Sequence, residues 1–325
     1  MKTGVIFSGQ GAQFPGMGSK YYTKYESARD IFEQAGAFVK DKCFNGSPED
    51  LKETKVTQPT VFTAQMAAWA ALCQELALDS DFAGKIEISG VAGFSLGEYG
   101  AYTASGVFPN FVTGLDLVTN RGIFMSESGK FDDGSPRGGM AAVIGDRETI
   151  IEAVAKAREH DVLEAVNFNS QKQTAVAGDI DAIARLRASA KESGLKVIPL
   201  SVSTAFHSSI MDKASDALAS HVESMEFFGP EIKMYSNITG RDVMEEFEEG
   251  ESVSDYIREK IALQVKNPVY WQETIENMGA DGIEVFVETG PGKTLSGLVK
   301  KILPDAKVYC ISDPEGLEEL KNIQP

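Results

Sequence analysis

The chain has 325 residues, of which 42% are hydrophobic and 24% charged. That is enough apolar material for one or two packed domains, and it excludes a mainly disordered chain. Its 31 basic and 48 acidic side chains leave a formal charge of −17, which argues against binding the nucleic-acid backbone.

Cys43, Cys73 and Cys310 are an odd, widely spaced set, neither a disulfide framework nor a Cys-x-x-Cys metal site. No metal-ligand cluster and no cofactor motif is present, so neither a metal nor a cofactor is expected. The apolar run of the first residues is too short for a signal peptide. A reducing cytoplasm is therefore the expected compartment, and the sequons Asn45-Gly-Ser and Asn237-Ile-Thr carry no weight.

In chain order, Thr3 to Ser8 reads as a buried strand running into the glycine turn Gly9-Gln-Gly11. Residues 58 to 78 form a helical stretch. Its apolar part, Val61 to Leu78, is interrupted by Gln65 and Gln74 and reads as a buried helix, not a membrane span. Ile86 to Ala92 is a second strand, followed by Gly93-Phe-Ser-Leu-Gly97 and a helix over Glu98 to Ala104.

Gly129 to Gly139 is loop-like. A strand over Met140 to Ile144 follows, then a helix over Arg147 to Glu159 with Ile150, Ile151, Val154 and Ala157 as its apolar stripe. Strands over Leu163 to Phe168 and Thr174 to Ala177 precede a helix over Asp181 to Ser193, with Ile183, Leu186 and Ala190 inward. A strand over Lys196 to Val202 closes the unit. The order βαββαβ is that of a ferredoxin-like unit, expected as an insertion at 129–203 between the two parts, 1–128 and 204–325, of a larger α/β domain.

Beyond it come an amphipathic helix over Asp212 to Met225, a strand over Ile232 to Ser236 and a helix over Tyr256 to Leu263. Two last strands are expected at Ile283 to Glu288 and Val308 to Ile311, and the acidic run Glu245 to Glu251 reads as a solvated loop.

Gly93-Phe-Ser95-Leu-Gly97 matches the Gly-x-Ser-x-Gly nucleophile elbow. A sharp turn between strand and helix presents the hydroxyl at a helix N-terminus, where developing negative charge is favoured. Such a serine needs a base. His160 reads as a surface residue at a helix end and His221 as partly exposed in mid-helix. His207, in a loop of small neighbours after a strand, is the better candidate. The N–H of Leu96 and the Gly9-Gln10-Gly11 turn could supply an oxyanion hole. Gly290-Pro-Gly-Lys-Thr294 resembles the end of a phosphate-binding loop, but Val287 stands where that motif needs glycine.

Taken together, Gly9-Gln-Gly-Ala-Gln13, Gly93-Phe-Ser-Leu-Gly-Glu-Tyr99, Asn120-Arg-Gly122, Gly139-Met-Ala-Ala142, Asn167-Phe-Asn-Ser170, Ala205-Phe-His207, Gln264-Val-Lys-Asn-Pro-Val269 and Glu288-Thr-Gly-Pro-Gly-Lys293 run nearly the whole chain. In this set the sequence resembles the malonyl-CoA:acyl carrier protein transacylases, which include the acyltransferase domains of polyketide synthases. The resemblance implies an α/β-hydrolase-like body with a ferredoxin-like insertion.

It also implies ping-pong transfer of malonyl from malonyl-CoA to the phosphopantetheine thiol of acyl carrier protein, through an ester on Ser95. His207 is then the base, Gln264 orients it through a backbone carbonyl, and the Gln10 and Leu96 N–H groups hold the oxyanion. Arg121, a surface helix arginine by ordinary burial statistics, becomes the clamp for the malonyl carboxylate. Met125 and Phe206 line the acyl site, and Phe206 crowds an α-methyl branch. Lys293, Lys300 and Lys301 are candidate docking cations for the acidic carrier. The expected setting is fatty-acid synthesis, with two alternatives: a trans-acting polyketide acyltransferase, and a serine esterase or thioesterase with an acidic third member. Two positions depart from the family pattern, Phe94 where histidine is usual and Ser8 where proline is common.

Overall fold

The computed structural model describes residues 1–202, 204–245 and 251–324. Among them, nine strands form two sheets. The first sheet contains β1 (Lys2–Phe7), β2 (Glu87–Gly93), β7 (Met234–Tyr235), β8 (Val285–Thr289) and β9 (Lys307–Ile311). Its order is β7-β2-β1-β8-β9 and every pairing is parallel. Parallel neighbours need crossover connections, which helices supply here, and helices on both faces bury the central strands. Val5, Ile6, Phe7, Val91, Ala92 and Val285 to Val287 are accordingly sealed from solvent in unbroken apolar runs.

The second sheet contains β3 (Gly139–Ile144), β4 (Leu163–Ser170), β5 (Gln173–Gly178) and β6 (Lys196–Pro199), in the order β4-β5-β3-β6 with all pairings antiparallel. Helices at Arg147–Arg158 and Ile180–Ser189 complete a βαββαβ unit. The two-residue period of a strand assigns its two faces different work. Ala141, Val143, Leu163 and Val176 pack on Ile150, Val154, Ile183 and Leu186. Met140, Val166, Ala175 and Ala177 turn the other way and meet Met125, Phe206 and Val265. A parallel bridge, Asn167 to Val269, links the small sheet to the body.

Most expected elements are present with shifted ends, and the differences have local causes. Ile151 is 45% exposed: one residue along a helix is about 100° of rotation, which carries it off the stripe of Ile150, Val154 and Ala157. The strand expected over Ile232 to Ser236 contracts to Met234–Tyr235 because Ser236 N–H turns back to the Arg241 carbonyl. The strand expected to reach Val202 ends at Pro199: Leu200 N–H still reaches the Met140 carbonyl, but Val202 N–H turns back to the Leu200 carbonyl and the pairing stops. The structure adds two long helices, Glu26–Asn45 and Phe111–Ser128. The first is broken at Gly36, whose φ is 84°. The acidic run lies outside the described residues except at Glu245 and Glu251. Among the described residues, no helix is long and apolar enough to cross a membrane. All three cysteines are free.

Candidate active site

Strand β2 ends at Gly93, and the helix Gly97–Ala104 begins four residues on. A β-carbon on Gly93 would sit 2.0 Å from the Gly97 carbonyl, and one on Gly97 would sit 2.0 Å from the Phe7 carbonyl. Neither position accepts a side chain, which is the steric reason for glycine on both sides of the serine. Ser95 itself has φ 54°, a left-handed conformation that costs a non-glycine residue energy and is held by its surroundings. Gly9 is also closely packed, with the Phe94 carbonyl 2.8 Å from where its Cβ would be. The first glycine turn thus lies against the elbow.

His207 comes from the loop after the small sheet. Its Nε2 lies 2.7 Å from Ser95 Oγ. Its Nδ1 faces two backbone carbonyls, Gln264 O at 3.0 Å and Asn267 O at 3.1 Å. A carbonyl can only accept, so Nδ1 carries the proton and Nε2 presents its lone pair to the serine hydroxyl. No carboxylate stands in the third position. Burial, reinforced by the Arg121 charge, lowers the His207 pKa from its ordinary value to about 4, against a smaller opposing effect of the two carbonyls. The ring is therefore neutral across the physiological range and ready to take a proton.

Arg121 is not on the surface. It is 1% exposed, on the helix Phe111–Ser128. Its Nη2 donates to Ser95 Oγ at 3.1 Å and to Gln264 Oε1 at 2.9 Å, and its guanidinium lies over the Tyr99 ring. Its Nε is buried and makes no hydrogen bond. Burial pulls its pKa down from the ordinary arginine value, but a guanidinium stays charged in proteins. The oxygens it bonds are neutral, so a buried cation here has donor capacity left for an incoming anion.

These groups open into one cleft of about 250 Å³. Gln10, Ser95, Arg121, Met125, Phe206 and His207 all line it. Leu96 is fully buried at the start of the helix behind the serine. Phe94, the first departure from the family pattern, stands edge-to-face on the buried Trp271 at 5.4 Å between centroids, so an apolar contact occupies that wall. The second departure, Ser8, is buried, and its backbone carbonyl accepts from the Gln65 side chain.

Helix Thr294–Ile302 turns Thr294, Leu295 and Leu298 into the cleft. It is anchored by Glu288, whose carboxylate accepts from Leu295 N–H at 3.1 Å and Ser296 N–H at 2.7 Å. The segment that mimicked a phosphate-binding loop is thus a carboxylate-capped helix start. Lys293, at the helix start, and Lys300 and Lys301 on it are exposed and do not themselves line the cleft, although Lys301 Nζ donates at 3.4 Å to Gln173 Oε1 on its lining. Lys300 Nζ donates to the Ala306 carbonyl at 2.6 Å, closing its own helix end. His160 is exposed, and His221 pairs with Asp116 at 2.7 Å; neither lines the cleft.

Residue reasoning missed the Gln264 side chain, which ties Arg121 to the elbow: its Nε2 donates to the Ser95 carbonyl at 2.7 Å. It also missed Asn267, and Asn237, whose side chain reaches the Ser95 backbone. None carried a spacing signal: Gln264 and Asn237 meet Ser95 across 169 and 142 residues of chain, and Asn267 meets His207 across 60. No group of metal-ligating side chains occurs among the described residues.

The family model described as an acyl transferase domain matches residues 5–311. The malonyl CoA-acyl carrier protein transacylase of Haemophilus influenzae is 36% identical over 318 residues, 96% of each chain. A polyketide biosynthesis malonyl CoA-acyl carrier protein transacylase of Bacillus subtilis is 32% identical, over 93% of this chain and 97% of its own. The crystal structure of malonyl CoA-acyl carrier protein transacylase from Clostridium perfringens superposes with a TM-score of 0.87 at 32% identity, covering 98% of this chain and 96% of that one. With this likeness extending over both sheets and the whole cleft, the chain belongs to the acyl transferase domain family and, within it, to the malonyl CoA-acyl carrier protein transacylases.

Proposed function

We propose that this protein transfers the malonyl group of malonyl-CoA to the phosphopantetheine thiol of acyl carrier protein through an ester on Ser95. The observation that carries the reading is the buried Arg121 guanidinium touching the same hydroxyl that His207 touches, at 3.1 and 2.7 Å. A base-activated serine alone suits any acyl donor. One with a buried, incompletely bonded cation beside it suits an acyl group whose far end is a carboxylate.

In the first half-reaction His207 Nε2 takes the Ser95 proton as Oγ attacks the thioester carbonyl. The N–H groups of Gln10 and Leu96 hold the oxyanion, and coenzyme A leaves with the proton. In the second, the carrier thiol gives its proton to His207 and attacks the malonyl ester, which returns Ser95. Gln264 and Asn267 orient the imidazole through neutral carbonyls. These stabilise the imidazolium less than a carboxylate would, but fix the tautomer equally well. No cofactor or metal enters either half.

The parallel sheet with a serine elbow supports an α/β-hydrolase-like body, residues 1–128 and 204–325, and the strand order β4-β5-β3-β6 supports a ferredoxin-like insertion at 129–203. On this division the small domain forms one wall of the cleft with the sheet face that its own helices leave uncovered. Fatty-acid synthesis in the cytoplasm is the setting we favour. The polyketide relative keeps a trans-acting polyketide role as the second reading. Lys293 and Lys301 are exposed and could meet an acidic carrier.

Intact-protein mass spectrometry after mixing with malonyl-CoA tests the proposal. Wild type should gain one malonyl unit, lose it on adding holo acyl carrier protein, and Ser95→Ala should gain none. A protein that never becomes loaded, or loads equally without the hydroxyl, overturns it. Phe206, 6% exposed in the cleft wall, should exclude an α-methyl branch. Exchange for serine should therefore shift the methylmalonyl/malonyl loading ratio upward by roughly 10- to 100-fold, the worth of about one methyl group. Competition between the two thioesters measures it, and an unchanged ratio would remove Phe206 from the selectivity filter.

A further inference from the structure

Asn237 belongs to a sequon that carried no weight in the sequence. It is sealed from solvent and sits two residues beyond the edge strand β7, which pairs with β2 only at Val91–Met234 and Ala92–Tyr235. Past that last rung, the Asn237 side chain continues the pairing. Its Nδ2 donates to the Gly93 carbonyl at 2.6 Å, and its Oδ1 accepts from Ser95 N–H at 2.7 Å. The amide thus spans the elbow from the residue two before the nucleophile to the nucleophile's own backbone.

Neither partner has a choice of role, since a carbonyl accepts and an N–H donates. Only a group with one donor and one acceptor in this geometry answers both. Ser95 is held at φ 54°, where serine does not rest without help. Asn237 is itself fixed through its backbone: its N–H donates to Glu98 Oε1 at 2.7 Å, and its carbonyl accepts from Tyr270 N–H at 2.8 Å.

We propose that Asn237 is a positioning residue for Ser95, a side-chain amide standing in for a peptide group that holds the strained elbow and so aims Oγ at His207 Nε2. The inference rests on the reading of Ser95 as the malonyl-bearing residue. A displacement of about 1 Å in a reacting atom can cost on the order of 100-fold in rate.

The test compares the pre-steady-state malonyl loading rate of wild type, Asn237→Ala and Asn237→Asp, with malonyl-CoA affinity measured by calorimetry in a Ser95→Ala background. Asn237→Ala should load roughly 100-fold more slowly with affinity changed less than about threefold, because Arg121 and the cleft walls remain. Asn237→Asp supplies the discriminating readout. Ionised, it offers two acceptors and faces the Gly93 carbonyl with a repulsive oxygen. Protonated, it again offers one donor and one acceptor. The charged and titratable groups around it are Glu98 beneath, and His207 and Arg121 across Ser95. Its loading rate should therefore climb at least about tenfold as pH falls from 8 to 5.5, where wild type stays level.

Three results overturn the proposal. Asn237→Ala could load within threefold of wild type, its affinity could fall as far as its rate, or Asn237→Asp could show no recovery at low pH. The Asp variant decides the matter even where Asn237→Ala folds poorly, since it is compared with itself across pH. Wild type in the same experiment separates the two readings. If it fails to load, the transacylase reading fails; if it loads and the variants load equally well, only the positioning role fails.

Discussion

Replacing Arg121 with alanine will lower malonyl loading by roughly 10²- to 10⁴-fold, the loss expected when one member of a buried ion pair is removed, about 3–5 kcal/mol. The same variant will lower acetyl loading far less, by about 30-fold or under, since the bonds then lost run to the neutral Ser95 Oγ and Gln264 Oε1, on the order of 1 kcal/mol each. The asymmetry follows from the site. Arg121 is buried, bonds neutral oxygens and has a buried Nε without a hydrogen bond. On the proposed reading the malonyl carboxylate meets that capacity and the acetyl methyl does not. Lysine will not restore the rate, because an ammonium cannot reproduce a planar, two-pronged donor. Loading rates with the two thioesters, measured side by side, check this. Equal losses on both would make Arg121 a support for Ser95 and nothing more.

His207 governs the second large effect. His207→Ala should slow both half-reactions by roughly 10²- to 10⁴-fold, the usual worth of a positioned general base. The pH dependence of wild type is sharper evidence. With the folded pKa lowered to about 4 by burial and the Arg121 charge, kcat/KM for loading should be level from pH 8 down to about 5 and fall tenfold per unit only below about 4. A solvated imidazole would instead show its break near 6.5.

The same shift bears on stability, with a definite sign. The unfolded chain takes up the histidine proton as pH falls through about 6.5 and the folded chain does not until about 4. Proton binding therefore favours the unfolded state, so stability at this site is full above the unfolded pKa and declines across that window. Denaturant midpoints of wild type and a His207→Gln variant, followed from pH 7 to 4, should converge as pH drops. Midpoints that keep a constant gap would mean that the ring is not desolvated.

The chemistry and the scaffold were legible in the sequence to different depths. The elbow could be read because its cause is local: two glycines flank the serine where any β-carbon would strike the backbone of Gly97 or Phe7. The strand runs could be read because central parallel strands are buried on both faces and must be continuously apolar. His207 could be selected because only three histidines exist and the other two sit in polar helical settings. The resemblance then supplied what residue types alone left open, above all Arg121. By composition it was an ordinary surface arginine.

By itself, then, the order of residues determined which hydroxyl would be raised on a turn, which imidazole could serve it and which βαββαβ segment would fold on its own two helices. Those are properties of neighbours along the chain, or of periods of two and 3.6 residues. Tertiary structure alone decided that Arg121 is buried against that hydroxyl. It also decided that the Gln264 amide joins the guanidinium to the elbow, and that Asn237 closes the turn from 142 residues away. The reason is physical. A buried polar group must find its partner wherever packing brings one, and packing is settled by the whole sheet and its helices, not by the spacing of the two residues that finally meet.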